Sequence, residues 1–313
     1  MSESIDIRHL RYFLTVAETG NFTRAAERLR ISQPSVSQQI AQLERTLRTP
    51  LFRRIGKRVQ LTEAGAAFRK GAETVLRRLE DARESVHAVA GLLAGHVDVG
   101  VIPALHVAWV PPALERMSLD YPGVSVAVQE RASSLVETEL EAGRLDLGLG
   151  LMTRSSPNIR YERLVSEPFS LLVSDAHQFA RRRAIDPREL EGVRLVLPPS
   201  SFDLRRAGDE VLRRSKVHPR VAFEIDSIDS VLATVVRAGM PTLLPAIVLR
   251  GREALGLRAI PLIGNTRRLE FGLLWPSAGA VSPAARAVAA SLKAAIMAAG
   301  PRSGREPRPR RLR

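Results

Sequence analysis

Residues 21 to 47, NFTRAAERLRISQPSVSQQIAQLERTL, constrain the chain more than any other stretch, because they read as two short helices locked at a fixed angle with one polar face left over. In the second helix Ser32 is a good N-cap, and Pro34 sits in the first turn, where its missing N–H costs nothing. Val36, Ile40, Leu43 and Leu47 recur at helical spacing and predict one buried face. The opposite face carries Ser35, Gln38, Gln42 and Arg45, with Gln33 and Ser37 flanking its N-terminal end. Glutamine can bond the N6 and N7 edge of adenine, and serine can donate or accept, but such short side chains reach base edges only from deep in a major groove. The preceding helix runs from Thr23, the expected N-cap, to about Leu29, and Ala25 and Ala26 let a crossing helix approach. Only Arg30, Ile31 and Ser32 separate the two, the connection of a helix-turn-helix unit. The bland alternative is a solvated polar helix in an unrelated bundle.

The flanks favour the first reading. Leu10, Phe13, Leu14 and Ala17 predict a helix ended by Gly20, a third wall for a small core. Downstream, LFRRIGKRVQL reads as two short strands around Gly56, with Arg53, Arg54, Lys57 and Arg58 forming a basic wing suited to phosphates beside the groove. Candidate DNA contacts are therefore Thr23, Gln33, Pro34, Ser35, Ser37, Gln38, Gln42, Arg53, Arg54, Lys57 and Arg58.

The run F-T-R-A-A-E-R-L-x-I-S-Q-P-S-V-S-Q-Q-I-x-Q-L-E, followed by P-L-F-x-R and L-T-E-A-G, resembles the N-terminal domain of LysR-type transcriptional regulators over Phe22 to Gly65, in order and in spacing. The rest of the chain is similar to that family from end to end. Within it, S-V-S-Q-Q-I, E-I-D-S-I and T-L-L-P-A look most like the activator type of the cyanate-utilisation operon. The resemblance implies a DNA-bound regulator with a two-lobed effector domain of the periplasmic-binding-protein type II kind. It also implies an interrupted palindromic site with T and A at its half-site ends and a homotetramer built from two homodimers; contact with RNA polymerase is expected from the mechanism given below.

Composition agrees. A chain of 313 residues can bury several cores without staples, and it has no cysteine, which removes disulfides, thiolate metal sites and a cysteine nucleophile. The six histidines show no metal spacing, and no metal or cofactor is called for. With no export signal and no long apolar run, the expected location is the cytoplasm. The formal net charge of +14 sits mostly at the ends. Residues 1 to 61 hold 11 Lys+Arg against 5 Asp+Glu, and residues 301 to 313 hold 6 against 1. The basic N-terminal segment suits phosphate neutralisation. The tail, PRSGREPRPRRLR, has too little apolar surface to fold, and either adds nonspecific DNA affinity or does nothing.

From Thr62, an N-cap, a long helix is expected with Phe68, Ala72, Val75, Leu79, Ala82, Val86, Val89 and Leu93 as a heptad stripe for dimerisation. Beyond Gly95 the apolar periods alternate between strand and helix, predicting an α/β region with a mostly parallel sheet. Its expected parts include VDVGVI, a helix opened by Pro111-Pro112, VSVAVQE, a helix over 134–142, LDLGLGL, FSLLVS, a helix begun by Asp186-Pro187, RLVLP, a helix over about 202–214, VAFEI, a helix over 227–238, TLLP, LEFGLLW and a last helix over about 283–298. The domain plan is thus 1–61 winged helix-turn-helix, all-α apart from its wing; 62–94 linker helix; 95–300 α/β effector domain; and 301–313 tail. Lobe one is placed at 96–163 plus 267–300, lobe two at 164–266.

Ligands of open α/β sheets bind outside the carboxyl ends of strands, which directs attention to 102–106, 152–153, 198–202, Ser227 and 240–243. By position the family resemblance carries effector contacts to Pro103, Ala104, Ser200, Ser201, Phe202, Arg205, Ser227 and Thr242; Thr153 and His106 join them as strand-end and cleft donors. Ala104 stands where the family usually has a hydroxyl, and Pro241 interrupts the Gly-rich turn. Arg205 is the expected partner of an anionic effector, although Arg206, Arg213 and Arg214 on the same helix also fit an ordinary solvated face. Enzyme readings lack a motif: G-x-S-x-G, H-E-x-x-H, the P-loop and C-x-x-C are all missing. A solute receptor has no use for a basic winged helix, and an architectural DNA binder has none for a ligand cleft. The expected mechanism is that an effector changes lobe closure and so the placement of paired readers on DNA.

Overall fold

The structure is a computed structural model that describes residues 5–55, 58–89, 93–264 and 268–298; the basic tail at 301–313 lies outside the described residues. It contains two compact units, divided near Leu92 and Leu93.

The first unit begins with α1 (Ile7–Thr19), capped by Asp6, whose carboxylate accepts from the Arg8 N–H while His9 returns the bond; Gly20, left-handed at φ +60°, ends it. Helix α2 (Phe22–Leu29) follows at once. Its cap is Asn21 and not the expected Thr23: the extended Asn21 accepts from the N–H of Thr23 (2.8 Å) and Arg24 (3.1 Å), so the helix starts earlier. Arg30, at φ +57°, closes α2 by donating its N–H to the carbonyls of Ala26 and Glu27. Then α3 (Gln33–Leu47) starts at Ser32, as its sequence predicts. Val36, Ile40 and Leu43 are buried against Phe13, Val16, Ala25, Ala26 and Leu51. Strands β1 (Phe52–Ile55) and β2 (Arg58–Leu61) pair antiparallel as the wing. Helix α4 (Glu63–Val89) is entered through Thr62, whose hydroxyl accepts from Gly65 N–H (2.9 Å) and donates to the Pro50 carbonyl (2.8 Å). A side chain at Gly65 would collide with the Leu51 carbonyl, so the wing corner can lie this close only to a glycine.

The α4 stripe corrects the expected dimer seam. Phe68 packs edge-on to Phe13 at 5.0 Å and Ala72 is buried, so both belong to this unit's own core. Val75 and Ala82 are exposed and Leu79 is half-buried, while the side chains of Val86 and Val89 lie outside the described residues. Leu93 is not helical and packs on the second unit's core.

The second unit opens with β3 (Gly95–Val101), α5 (Pro103–Asp120), β4 (Val124–Glu130), α6 (Ser133–Glu141) and β5 (Leu147–Leu151). Pro111 and Pro112 lie inside α5; the helix starts at Pro103, which already has the fixed φ of a first turn. Next comes β6, a single 16-residue strand over Ile159–Ser174, of which the expected FSLLVS is only the end. Asp186-Pro187 opens a 3-10 turn, Pro187–Leu190, and no full helix. Strand β7 (Arg194–Leu197), α7 (Asp203–Arg214), β8 (Arg220–Glu224), α8 (Ile228–Ala238), β9 (Thr242–Pro245), β10 (Leu257–Pro261), β11 (Arg268–Pro276) and α9 (Pro283–Ala298) complete it.

A seven-stranded sheet runs β10-β6-β11-β5-β3-β4, with β9 also on β6. It is mixed, not mostly parallel: β3 is parallel to β4 and β5, whereas β11 is antiparallel to β5 and β6, and β6 to β9 and β10. The parallel pair β7-β8 stands apart, tied on by Val196 N–H to the Pro241 carbonyl. The first part of β6 pairs with β11 in lobe one and its last residues with β9 and β10 in lobe two, so the lobes share a strand. The expected boundary between residues 163 and 164 falls within it.

Candidate nucleic-acid interface and effector cleft

On the first unit, burial of Val36, Ile40 and Leu43 turns the other side of α3 outward. Pro34, Ser35, Gln38 and Arg45 are exposed; Gln33, Ser37 and Gln42 are half-buried. Gln33 Nε2 donates to Ser37 Oγ (2.7 Å), and the hydroxyls of Ser32 and Ser35 share a bond (2.7 Å), so these four side chains form two separate pairs along the helix start. Thr23 is exposed at the start of α2. Arg53 is exposed on β1; the side chains of Arg54 and Arg58, and Lys57 altogether, lie outside the described residues.

Sequence reasoning passed over the residue that ties wing to helix. Glu44, on α3, takes the backbone N–H of Leu51 (2.7 Å) and of Phe52 (3.0 Å) on a single carboxylate oxygen. From the other side the Gly20 carbonyl accepts from Val59 N–H (3.0 Å). The wing is therefore held by α3 at one strand and by the end of α1 at the other. An acidic residue one position past the last core leucine was the available signal.

On the second unit, four helices bring their first turns to one narrow cleft of about 20 Å³ between the lobes. It is lined by Pro103 and Ala104 of α5, Ser133 of α6, Asp203 and Leu204 of α7 and Ile228 of α8, with Ile102, Ala132 and Phe202 just ahead of three of these helices. Three expected contacts, Pro103, Ala104 and Phe202, are thus brought together. Ser133, Leu204 and Ile228 were missed because they are the first or second residues of helices, where one position decides which side chain faces in.

Other expected contacts are engaged elsewhere. Arg205 is absent from the lining: its guanidinium donates to Asp209 (2.9 Å), to the Pro198 carbonyl (2.7 Å) and to Glu224 (3.2 Å), so it fastens α7 to the ends of β7 and β8. Ser200 and Ser201 are exposed, and their carbonyls accept from Arg206. Ser227 caps α8 by accepting from Ser230 N–H. Thr242 is not engaged: it is fully buried in β9 and its hydroxyl has no hydrogen-bond partner. Thr153 donates to Glu137, a buried carboxylate that also receives Ser155 and the Tyr161 hydroxyl (2.9 Å). Burial, with Glu137 beside it, raises the Tyr161 pKa. Thr153 lines a separate, open hollow of about 540 Å³ with Arg154, Arg206, Arg268 and Glu270. His106 Nδ1 lies 2.6 Å from Glu130, outside the cleft lining.

A winged helix-turn-helix reader and a two-lobed receptor with a cleft at its helix N-termini define a DNA-binding regulator that answers to a small molecule. Comparison with known proteins agrees. Residues 7–66 match the bacterial regulatory helix-turn-helix protein model of the lysR family, and residues 90–296 match the LysR substrate binding domain. The chain is 34% identical over 249 residues to the HTH-type transcriptional regulator TfdS of Cupriavidus pinatubonensis, covering 78% of this chain and 83% of that one. A full-length OxyR variant of Pseudomonas aeruginosa superposes with a TM-score of 0.71 at 23% identity, covering 94% of this chain and 95% of that one. Full-length CbnR complexed with its target DNA gives 0.67 at 22%, covering 93% and 100%. The chain belongs to the LysR family of transcriptional regulators. It is a DNA-binding regulator with an effector domain and not an enzyme.

Proposed function

We propose that this regulator reads an interrupted inverted repeat as a homodimer or homotetramer, with Ser35, Gln38, Gln42 and Arg45 of α3 facing base edges and the wing facing phosphates. The observation that carries this is the division of α3 into a buried apolar edge and an outward polar one. Two-fold pairing of readers is mirrored in two-fold symmetry of the site. Exposed Val75 and Ala82, with Leu79 beside them, provide the part of α4 that remains for a second copy.

The effector is an anionic metabolite held in the cleft lined by Pro103, Ala104, Ser133, Phe202 and Ile228. It biases lobe closure, and with it the spacing of paired readers, the bend of the DNA and contact with RNA polymerase. Its leverage is limited to its differential affinity for the two arrangements. The protein acts in the cytoplasm, where its DNA is; among the described residues no helix is long and apolar enough to cross a membrane.

Footprinting on the intergenic DNA beside its own gene tests the proposal. Discrete protection of an inverted repeat, altered by effector, is expected; protection indifferent to sequence would instead identify an architectural DNA binder.

A further inference from the structure

The end of lobe two opposite the cleft carries positive charge that its own carboxylates do not answer. Strands β7 and β8 are parallel, so both begin at this end, and α7, whose first turn lines the cleft, returns here with its last. Its 12 residues, at ~1.5 Å each, put the two ends of that helix ~18 Å apart. The backbone gathers the neighbouring loops to the same place. The N–H of Gly192 donates to the His218 carbonyl (3.3 Å) and that of Arg220 to the Val193 carbonyl (2.8 Å), and Arg182 pairs with Glu189 (2.9 Å) of the turn that leads into β7.

The carboxylates at this end are all engaged. Asp186 and Glu189 cap the turn, and Glu189 also pairs with Arg182; Glu191 accepts the N–H of His218 (2.8 Å); Glu210 receives both Arg213 and Arg214. Arg181, Arg183, Arg188, Arg194, Lys216 and Arg220 remain, exposed, their charged groups without a hydrogen-bond or ion-pair partner among the described residues. Arg194 and Arg220 are partners in register across the parallel pair. Like charges side by side on neighbouring strands repel, so the arrangement costs the isolated chain stability, and a polyanion laid across it offsets that cost.

The chemistry of this surface suits nucleic acid better than an acidic protein. All the unanswered cations but Lys216 are arginines, whose planar fork bonds phosphate oxygens two at a time. A protein interface also needs a well-packed apolar centre from which charged residues are depleted. The exposed apolar residues nearest in sequence, Val221 and Phe223, alternate with Arg220 along β8 and so face the other side of the sheet. Duplex DNA is moreover the polyanion at hand, because a chain that holds it through its first unit raises the local concentration of phosphate at its second.

We propose that this end of lobe two is a second DNA-binding surface, which holds duplex phosphates through Arg194, Arg220 and the cations around them without reading sequence. It belongs to the second unit, not to α3 or the wing, and lies at the other end of α7 from the effector cleft. Each phosphate it neutralises releases counterions, so the surface adds affinity that is steep in salt and equal for all sequences.

Full-length protein is titrated by fluorescence anisotropy with a long duplex of unrelated sequence, at salt from about 50 to about 200 mM. Arg194→Ala/Arg220→Ala is expected to lower the slope of log affinity against log salt by ~1.8, two phosphates at ~0.9 each, so that the affinity lost over that range shrinks about tenfold. Arg181→Ala/Arg183→Ala tests the same surface from its loop and should lower the slope as well. Arg194→Lys/Arg220→Lys, which keeps the charge, should hold the parent slope, as should Arg160→Ala/Arg286→Ala, which removes two exposed arginines from lobe one. The difference between parent and Arg194→Ala/Arg220→Ala should persist in chains that end at Gly300 and so lack the basic tail. An unchanged slope in both alanine pairs of lobe two would overturn the proposal, and transcription lost by them at unchanged DNA binding would assign the surface to an acidic protein. An equal fall in Arg160→Ala/Arg286→Ala would overturn it as a general effect of charge, and so would a difference that vanishes with the tail.

Discussion

Replacing Glu44 by alanine removes the acceptor that holds the wing corner to α3. Two backbone N–H groups, those of Leu51 and Phe52, lose their partner at once, and Leu51 is only 2% exposed. A bond to a charged acceptor contributes about 1.5–3 kcal/mol, and a half-buried one lies toward the lower end. The expected loss is therefore about 2–4 kcal/mol, or on the order of 10 °C or more in the melting temperature of a unit this size. Stability alone would be a structural result, so the informative assay is DNA affinity measured across a salt series below the melting point. If Glu44 also positions the wing, loosening it withdraws wing cations such as Arg53 from phosphates, and the slope of log affinity against log salt falls by ~0.9 for each phosphate no longer neutralised. Discrimination between cognate and scrambled sites should persist, since the polar edge of α3 is untouched. Glu44→Gln keeps the same oxygen in place and should recover most of both effects. A Gln variant as damaged as the Ala variant, or an unchanged salt slope in the Ala variant, would refute the clamp.

Gln38→Ala should relax sequence preference by roughly 1–3 kcal/mol at one position of each half-site with the salt slope kept, whereas Arg53→Ala should weaken all sequences alike and lower the slope; binding to a set of single-base operator variants separates them. Arg30→Gly should raise thermal stability by about 1 kcal/mol, because Arg30 closes α2 at φ +57°, where a side chain is strained and glycine is not; a lower melting temperature would count against this. Asp229 is held below the ordinary carboxylate range, first by its hydrogen bond from Arg252. Its contribution is thus present above the usual carboxylate pKa and lost as pH falls through the lowered one, so Arg252→Gln should flatten the acid limb of a melting profile taken from neutral pH down to about pH 2. On α4, Leu79→Asp should weaken self-association in sedimentation while leaving the first unit folded, whereas Phe68→Ala, which opens the core beside Phe13, should unfold it.

The elements were legible where periodicity and punctuation agree. Ser32 with Pro34 starts α3, Ser227 and Gly239 bound α8, and the last helix spans Pro283–Ala298 as its pattern predicts. Misreadings arose where one signal has two physical meanings. A proline pair opens a helix or sits within one, and Pro111-Pro112 does the latter because Pro103 had already opened α5. Asn21 and Thr23 both suit an N-cap, and only the backbone at Asn21 turns its side chain onto the following N–H groups. The α4 stripe is one apolar period that is buried at its start and exposed further on. Phe68 and Ala72 face α1 and the wing within the chain, and only beyond them does the stripe turn outward at Val75.

The cleft shows the same limit more sharply. That strand ends and helix starts would surround it follows from how α/β units close, which directed attention to 102–106 and 198–202, and the family resemblance placed Pro103, Ala104 and Phe202 there. Which side chain on each first turn faces inward is a matter of about 100° per residue, below the resolution of a boundary uncertain by one or two positions. Arg205 was chosen for its chemistry, since a guanidinium suits an anion. The same chemistry suits Asp209, one turn along α7, together with Glu224 and the Pro198 carbonyl, which the fold brings to it from β8 and the end of β7. A cation in a protein that also supplies carboxylates finds the nearest ones first. The cleft lining is instead made of residues at or just ahead of helix starts, Pro103, Ala104, Ser133, Phe202 and Ile228 among them.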